Sequence, residues 1–288
     1  MTVANIYRKL KRILIDSNEA LINIGLNKIS TLDEVSNEIK KLGTINRLPY
    51  AIRRELIDLN EEDFGEGLIR SYVFSGCNHL KTVTIPDSVT SINHHAFNAN
   101  PRLTNVTIPT SVTKIDQSLL QYCDAIESLT IPFVGSSPTS AEQICYFFGE
   151  ESNYDIPKTL KNVIILDAGA KIGSGCFQNC KNVESVTLPD NITYISTGVF
   201  SGCTSLKSIV IPKNVTHIHS RAFHYCENLK DVYLYPVVPP VINYGDYTSF
   251  NSEYIETIHV PIGYGDAYKS ATNWSVYASK IIEDIIIE

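Results

Sequence analysis

Phe74-Ser75-Gly76-Cys77-Asn78-His79-Leu80-Lys81-Thr82-Val83-Thr84-Ile85-Pro86 decides the architecture of this chain, because its pattern returns along most of the sequence. Phe97 opens a second copy, with Asn100, Leu103, Val106, Ile108 and Pro109 in the same register. Leu120 opens a third, with Cys123, Ile126, Leu129, Ile131 and Pro132. Each step is 23 residues. Phe177, Phe200 and Phe223 resume the register, with Cys180, Cys203 and Cys226 three residues after them. A fixed period of this length means a chain built of stacked units, since one unit cannot bury its own apolar face.

The internal logic of one unit follows from residue type. Val83-x-Ile85 and its equivalents alternate, as a short half-buried strand does. Val83 and Ile85 are therefore expected inside and Thr84 outside. The proline after them ends the strand, because it has no N–H for a ladder. A Val-x-x-Ile segment carries the coil round, and a Phe five residues later plugs the far side: Ile92/Phe97, Ile172/Phe177, Ile195/Phe200 and Ile218/Phe223. Cys, once replaced by Asn100, is a small group able to bond to backbone at a tight turn. The strand anchors Ile85, Ile108 and Ile131 step by 23, as do Ile165, Leu188, Ile211 and Leu234. Between Ile131 and Ile165 the step is 34, so one coil has 11 extra residues, placed within 133–160. Tyr146, Phe147 and Phe148 in that stretch are expected to cover an otherwise open part of the core.

These residues carry a family resemblance. The pattern F-x-x-C-x-x-L-x-x-V-x-I-P-x-x-V-x-x-I-x-x-x-x-F, over about residues 67–262, resembles the BspA-type leucine-rich repeats. The long coil also resembles a variant repeat of that family, in Ile131-Pro132-Phe133-Val134-Gly135 and Pro157-Lys158-Thr159-Leu160-Lys161-Asn162-Val163. Pro239-Pro240, Ile258-His259-Val260-Pro261 and Ala267-Tyr268 through Trp274 are similar to its closing cap. The expected fold is an α/β repeat, a leucine-rich-repeat solenoid of short strands behind a small helical module. The expected division is a helical attachment or oligomerisation module at 1–62, the solenoid at 63–262 and a cap at 263–288.

In the first segment, Ile6, Leu10, Ile13, Leu14, Leu21 and Ile24 suggest an amphipathic helix. Thr31-Leu32-Asp33-Glu34 reads as a capping box before the stripe Leu32, Val35, Ile39 and Leu42. Pro49 is expected to open a third short helix through Leu59. The layout of about Leu14–Leu42 resembles N-terminal modules of bacteriophage tail and virion proteins. That resemblance implies a virion component, with other virion proteins or a host surface receptor as partner. The alternative is a bacterial cell-surface adhesin. Arg8, Lys9, Lys11 and Arg12 are candidate attachment residues toward an acidic partner, against the plainer reading of a solvated helix face. The helices are also candidates for self-association.

Charge is unevenly divided. Residues 1–58 hold ten Lys/Arg and seven Asp/Glu; the rest holds fourteen and twenty-four, a net of -10 within a chain of -7. An acidic repeat body is a poor track for phosphate, so nucleic acid is not an expected partner. No apolar run approaches the roughly 20 residues of a membrane span. The start has no apolar run of a secretory signal after its basic residues, so the chain is expected to stay in the cytoplasm or to leave it without the usual export route. With that, the phage resemblance implies residence in a virion assembled in the host cytoplasm, the alternative being a bacterial cell surface.

Motifs for chemistry are sparse. There is no P-loop, G-x-G-x-x-G, H-E-x-x-H or G-x-S-x-G, so neither catalysis nor a cofactor is expected. Gly263-Tyr264-Gly265-Asp266 reads as a turn. His217 and His219 flank Ile218 and face outward with no evident third ligand, so no metal is assigned. Cys176 and Cys180 read as structural thiols. Asn105, Asn191 and Asn214 stand in Asn-x-Thr sequons that read as turn and strand chemistry. The candidate binding residues are the outward column of the strands: Thr84, Thr107, Thr130, Ile164, Thr187, Val210, Tyr233 and His259. Threonine there suits any exposed strand. The sharper reading is one continuous recognition face that grows apolar and aromatic toward the C-terminal end, with Tyr194, Tyr235, Tyr244 and Tyr247 nearby.

Overall fold

The computed structural model describes residues 58–59 and 67–287, apart from 141, 154, 168, 170, 244–247 and 252. The expected helices before Asp58, and the basic residues Arg8, Lys9, Lys11 and Arg12, lie outside the described residues.

Successive coils stack as parallel β-rungs. On the main face, strands Asp58–Leu59, Thr82–Thr84, Asn105–Thr107, Ser128–Ile131, Asn162–Ile165 and Ser185–Thr187 form a six-stranded sheet in that order. Ser208–Ile211, Asp231–Leu234, Thr257–Pro261 and Ile281–Ile285 form a four-stranded one. A second face carries the short ladders Gly67–Ile69, Val89–Ile92, Lys114–Ile115 and Tyr194–Ile195, His217–Ile218, Val241–Ile242. Every pairing is parallel, as connections through a full coil require.

Three differences from the expectation concern boundaries. Asp58–Leu59 is a strand paired with Thr82–Val83, not the end of a helix, so the ladder reaches back before residue 63. Ile281–Ile285 is a further rung on Thr257–Pro261, so the region after 262 extends the sheet as well as closing it. The main face is also not one continuous ladder. No strand pairing joins Ser185–Thr187 to Ser208–Ile211. Val186 and Leu188 at this join are 6% exposed, against 1% for Val163 and Ile209 on either side. The coils sit slightly apart there, and the backbone bonds lapse.

Inside, the period becomes columns. Val83, Ile85, Val106, Ile108, Leu129 and Ile131 are all buried, as alternation demands. Phe74 stacks on Phe97 at 5.0 Å, Phe177 on Phe200 at 5.4 Å, Phe200 on Phe223 at 5.2 Å and Phe223 on Phe250 at 4.8 Å. Trp274 and Tyr277 close this column over Phe250. Their polar ends are satisfied: the Trp274 indole N–H donates to the Pro240 carbonyl at 2.7 Å, and the Tyr277 hydroxyl to that of Phe250 at 2.9 Å.

The position three residues after each Phe binds coil to coil. The Cys123 thiol donates to the Phe97 carbonyl at 3.1 Å, Cys203 to Phe177 and Cys226 to Phe200 at 3.0 Å each. Asn100 does the same to Phe74 at 3.0 Å with its amide. Cys and Asn interchange because each offers a short donor to a buried carbonyl of the preceding coil; the Phe177 and Phe200 carbonyls also accept from the N–H of Cys180 and Cys203. Burial pushes the Cys123 and Cys226 thiols up to about 12. Burial likewise raises the Cys180 and Cys203 thiols. Cys176 and Cys180 are buried and unbridged.

Each coil turns through two left-handed backbone positions, two residues before and two after the Phe. Gly175, Gly198, Gly76 and Gly202 occupy some of them, but Tyr72, His95, Arg221, Tyr122 and Tyr225 occupy others. These turns aim N–H groups at the next coil: Phe74 to the Ala96 carbonyl, Phe177 to Val199 and Phe200 to Ala222. A third line of backbone bonds thus runs opposite the strand face.

The long coil is filled from within. Ile144–Phe148 is a 3-10 helix that buries Ile144, Phe147 and Phe148, and Leu120 N–H donates to the Phe147 carbonyl at 2.7 Å. Asn153 holds this insertion. Its carbonyl oxygen accepts from Cys145 N–H at 3.0 Å, and its amide donates to the carbonyls of Cys176 at 3.1 Å and Gln178 at 2.9 Å.

Phe200→Ala is expected to destabilise by about 3–5 kcal/mol, because it empties the middle of the stacked column. Thr187→Ala should stay within about 0.5 kcal/mol. Equal shifts in a denaturant midpoint would refute the inside-outside assignment. Asn153→Leu should cost about 3 kcal/mol by stranding buried backbone groups, measured the same way. The seven thiols should resist an aromatic disulfide reagent at pH 8 in the native chain and react once guanidinium unfolds it. Rapid reaction of native Cys203 would contradict its depth in the core.

Candidate functional site

Pairing sets the outward column in register. Thr84 lies beside Thr107, Thr107 beside Thr130, Thr130 beside Ile164 and Ile164 beside Thr187. Beyond the join, Val210 lies beside Tyr233 and Tyr233 beside His259, and Ile282 extends the column past the expected residues. All eight candidates are exposed or half-buried, so the alternation places them outside as expected. The spacing of rungs in such a ladder is about 4.8 Å.

The two ends differ in chemistry. Toward the N-terminal end the column is threonine. Toward the C-terminal end Val210 is 49% exposed, and the Tyr233 ring lies on the His259 ring at 4.1 Å and 10°. Both imidazole nitrogens face carboxylates. Nδ1 lies 2.8 Å from Asp284 Oδ2, and Nε2 lies 3.6 Å from Asp231 Oδ1, beyond hydrogen-bond reach. His259 is thereby held flat, with its side chain 13% exposed, and it supports the phenol of Tyr233. The sequence shows Tyr233 and His259; it does not show Asp231 and Asp284. Asp231 does lie two residues before Tyr233, the spacing that puts two side chains on one face of a strand.

A second outward column lies two residues before the first: Thr82, Asn105 and Ser128, then Asn162 and Ser185, then Ser208, Asp231 and Thr257. It is short and polar throughout. At its margin Glu184 accepts from Lys161 and Lys207 at 2.7 Å each. These two hydrogen bonds, Lys161 first, hold its carboxyl down at about 2. The Glu184–Lys207 pair spans the join where the strand bonds lapse.

Tyr194 is not beside this face. It lies on the second sheet, beside His217 and with His219 at 6.0 Å between ring centroids, because the chain has turned after Pro189. Tyr235 is exposed just past the strand Asp231–Leu234. Tyr244 and Tyr247 lie outside the described residues. His217 and His219 face outward, 6.0 Å apart. No group of three or more His, Cys, Asp or Glu able to hold a metal occurs among the described residues. No described helix is long and apolar enough to cross a membrane. Gly263 turns the chain with φ of +88°, and Gly265 then opens the helix Gly265–Ser270, which the turn reading did not include. Asn214 donates to the Asp190 carbonyl of the preceding coil at 2.9 Å, and Asn105 to the adjacent Thr104 hydroxyl at 2.8 Å.

The chain matches the family described as BspA type leucine rich repeat region, in six copies over residues 65–161 and 150–275. None of the curated proteins compared with it matches. Among solved structures it is similar to a leucine rich cell surface protein from Faecalibacterium prausnitzii. That match has 23% identity and a TM-score of 0.37, and it covers 79% of this chain and 63% of the other. A leucine-rich repeat protein from Bacteroides ovatus gives 24%, 0.37, 69% and 54%. One from Eubacterium ventriosum gives 25%, 0.41, 69% and 50%. The chain thus spans 50 to 63% of the length of these three. The resemblance of about Leu14–Leu42 to phage tail modules lies outside both the described residues and the matched stretch. By its repeat, its register and the extent of the match, the chain belongs to the BspA-type leucine-rich repeat family.

Proposed function

We propose that this chain is a non-catalytic binding protein whose strand face recognises a protein partner, with the contact centred on Tyr233. We further propose that it works at a bacterial cell surface, the setting named for the Faecalibacterium protein. One observation carries the binding reading: the outward column changes from threonines to Val210, Tyr233, His259 and Ile282, with the His259 ring fixed by Asp284 beneath Tyr233. Rigid aromatic side chains with one polar end concentrate binding energy at interfaces, because little rotamer freedom is lost on contact. The polar column beside them supplies a rim of hydroxyl and amide groups. The virion reading drew on the resemblance near Leu14–Leu42, and neither the fold nor the family match supports it.

The test is biolayer interferometry of the purified full chain against a panel of extracellular-matrix and mucosal proteins, with immunogold labelling of the producing cells. Binding to a panel member should fall about tenfold or more in Tyr233→Ala, the scale of an interface hot spot. Thr84→Ala should change it less than about twofold. Equal effects of the two substitutions would sink the assignment of the site. Gold confined to the cytoplasm would sink the surface location.

A further inference from the structure

The 11 extra residues of the long coil do more than fill the core. On the second face the regular short ladders stop at Lys114–Ile115 and resume at Tyr194–Ile195. Between them runs the inserted segment: Ile115 N–H donates to the Ser136 carbonyl at 3.0 Å, and Lys171 N–H to the Pro138 carbonyl at 3.0 Å. The segment then makes a tight turn. Ser140 closes it by donating to the Ser137 carbonyl at 2.7 Å, and the Glu142 carboxylate accepts from the Ser136 hydroxyl at 2.8 Å. Burial works to raise Glu142, but the hydrogen bonds from Ser140 and Ser136 outweigh it and hold the carboxyl below its usual range. The turn is therefore an anchored wall.

Against that wall lies a cleft of about 340 Å³, within the ~300–1,000 Å³ of small-ligand sites. Its far side is aromatic: Tyr194 is 41% exposed, and the His219 ring stands at 72° to it. Its lining otherwise consists mainly of hydroxyl groups, from Thr139, Ser140, Ser174, Ser196 and Thr197. Two of these have already given their hydrogen: Ser196 to the Ile172 carbonyl at 2.6 Å, and Ser140 to the Ser137 carbonyl and Glu142 carboxylate within the turn, where it also accepts from the Ser137 N–H at 3.3 Å. They present lone pairs and so suit a ligand rich in O–H donors. Lys171 is the one cation other than a histidine, and none of the lining residues is acidic. Lys171 therefore supplies the fixed positive charge of the cleft and favours an anionic guest.

We infer that this cleft binds a pyranose sugar carrying a carboxylate. The C–H face of the ring lies on Tyr194, its hydroxyls donate to Ser140 and Ser196, and its carboxylate pairs with Lys171. The site is separate from the strand face and independent of the protein partner proposed above.

Saturation-transfer difference NMR on the full chain tests this, with methyl β-D-glucuronide and methyl β-D-glucoside as probes. The glucuronide should bind about tenfold more tightly than the glucoside, the scale of one hydrogen bond to a charged group. Lys171→Met should erase that preference, and Tyr194→Ala should abolish the signal for both sugars. Both residues are exposed, and unchanged melting temperatures would verify that the variants fold. Tyr233→Ala, on the other face, should leave sugar binding unaltered, so loss of partner binding and loss of sugar binding are separable. Absence of transfer to either sugar, equal affinity for both, or transfer unchanged in Tyr194→Ala would overturn the proposal.

Discussion

The structure depends on coils that complete one another. A single turn leaves its Phe uncovered on one side and one lone pair of its turn carbonyl open. The next turn supplies both, through a ring at about 5 Å and a thiol or amide donor. Nothing in the solenoid is stable by itself; the stabilisation belongs to the interfaces between neighbours. This explains why a reactive element such as cysteine recurs at a position with no chemistry to perform. Its value there is geometric: it is small, and it donates across the coil interface to a buried carbonyl.

This same dependence made most of the fold legible. A 23-residue step imposes the same burial on the same position each time, so Val83, Val106 and Leu129, or Phe177, Phe200 and Phe223, identify one another. What repetition does not encode stayed hidden. Asn153 falls in the insertion, where no equivalent position points to it, yet it makes the contacts that fasten the long coil. The lapse of strand bonds after Thr187 was hidden for the opposite reason: the sequence keeps perfect register across it. The aromatic end of the outward column was legible from Tyr233 and His259. The carboxylates that flank His259 come from different rungs, Asp284 within hydrogen-bond reach and Asp231 beyond it, and only stacking brings them together.

The two faces divide the labour differently. The strand face varies one outward residue per rung on a fixed lattice, so specificity is written by substitution. The second face is broken by an insertion, which makes a wall and therefore a hollow. Thr139 and Ser140 of the insertion form one side of that hollow, and the regular coils the other.

The join after Thr187 has a mechanical meaning. On the strand side the rung carries no strand pairing and is clasped by Glu184 and Lys207. Elsewhere around the same step the connections persist, from Phe177 to Val199 and from Tyr194 to His217. A stack tied continuously on two sides and by an ion pair on the third bends most easily about that third side. Screening by salt weakens the clasp while leaving the backbone bonds intact. The strand side of this step is thus held by side chains, the ion pair and the hydrogen bond from Asn214 to the Asp190 carbonyl, and salt screening acts on the first alone.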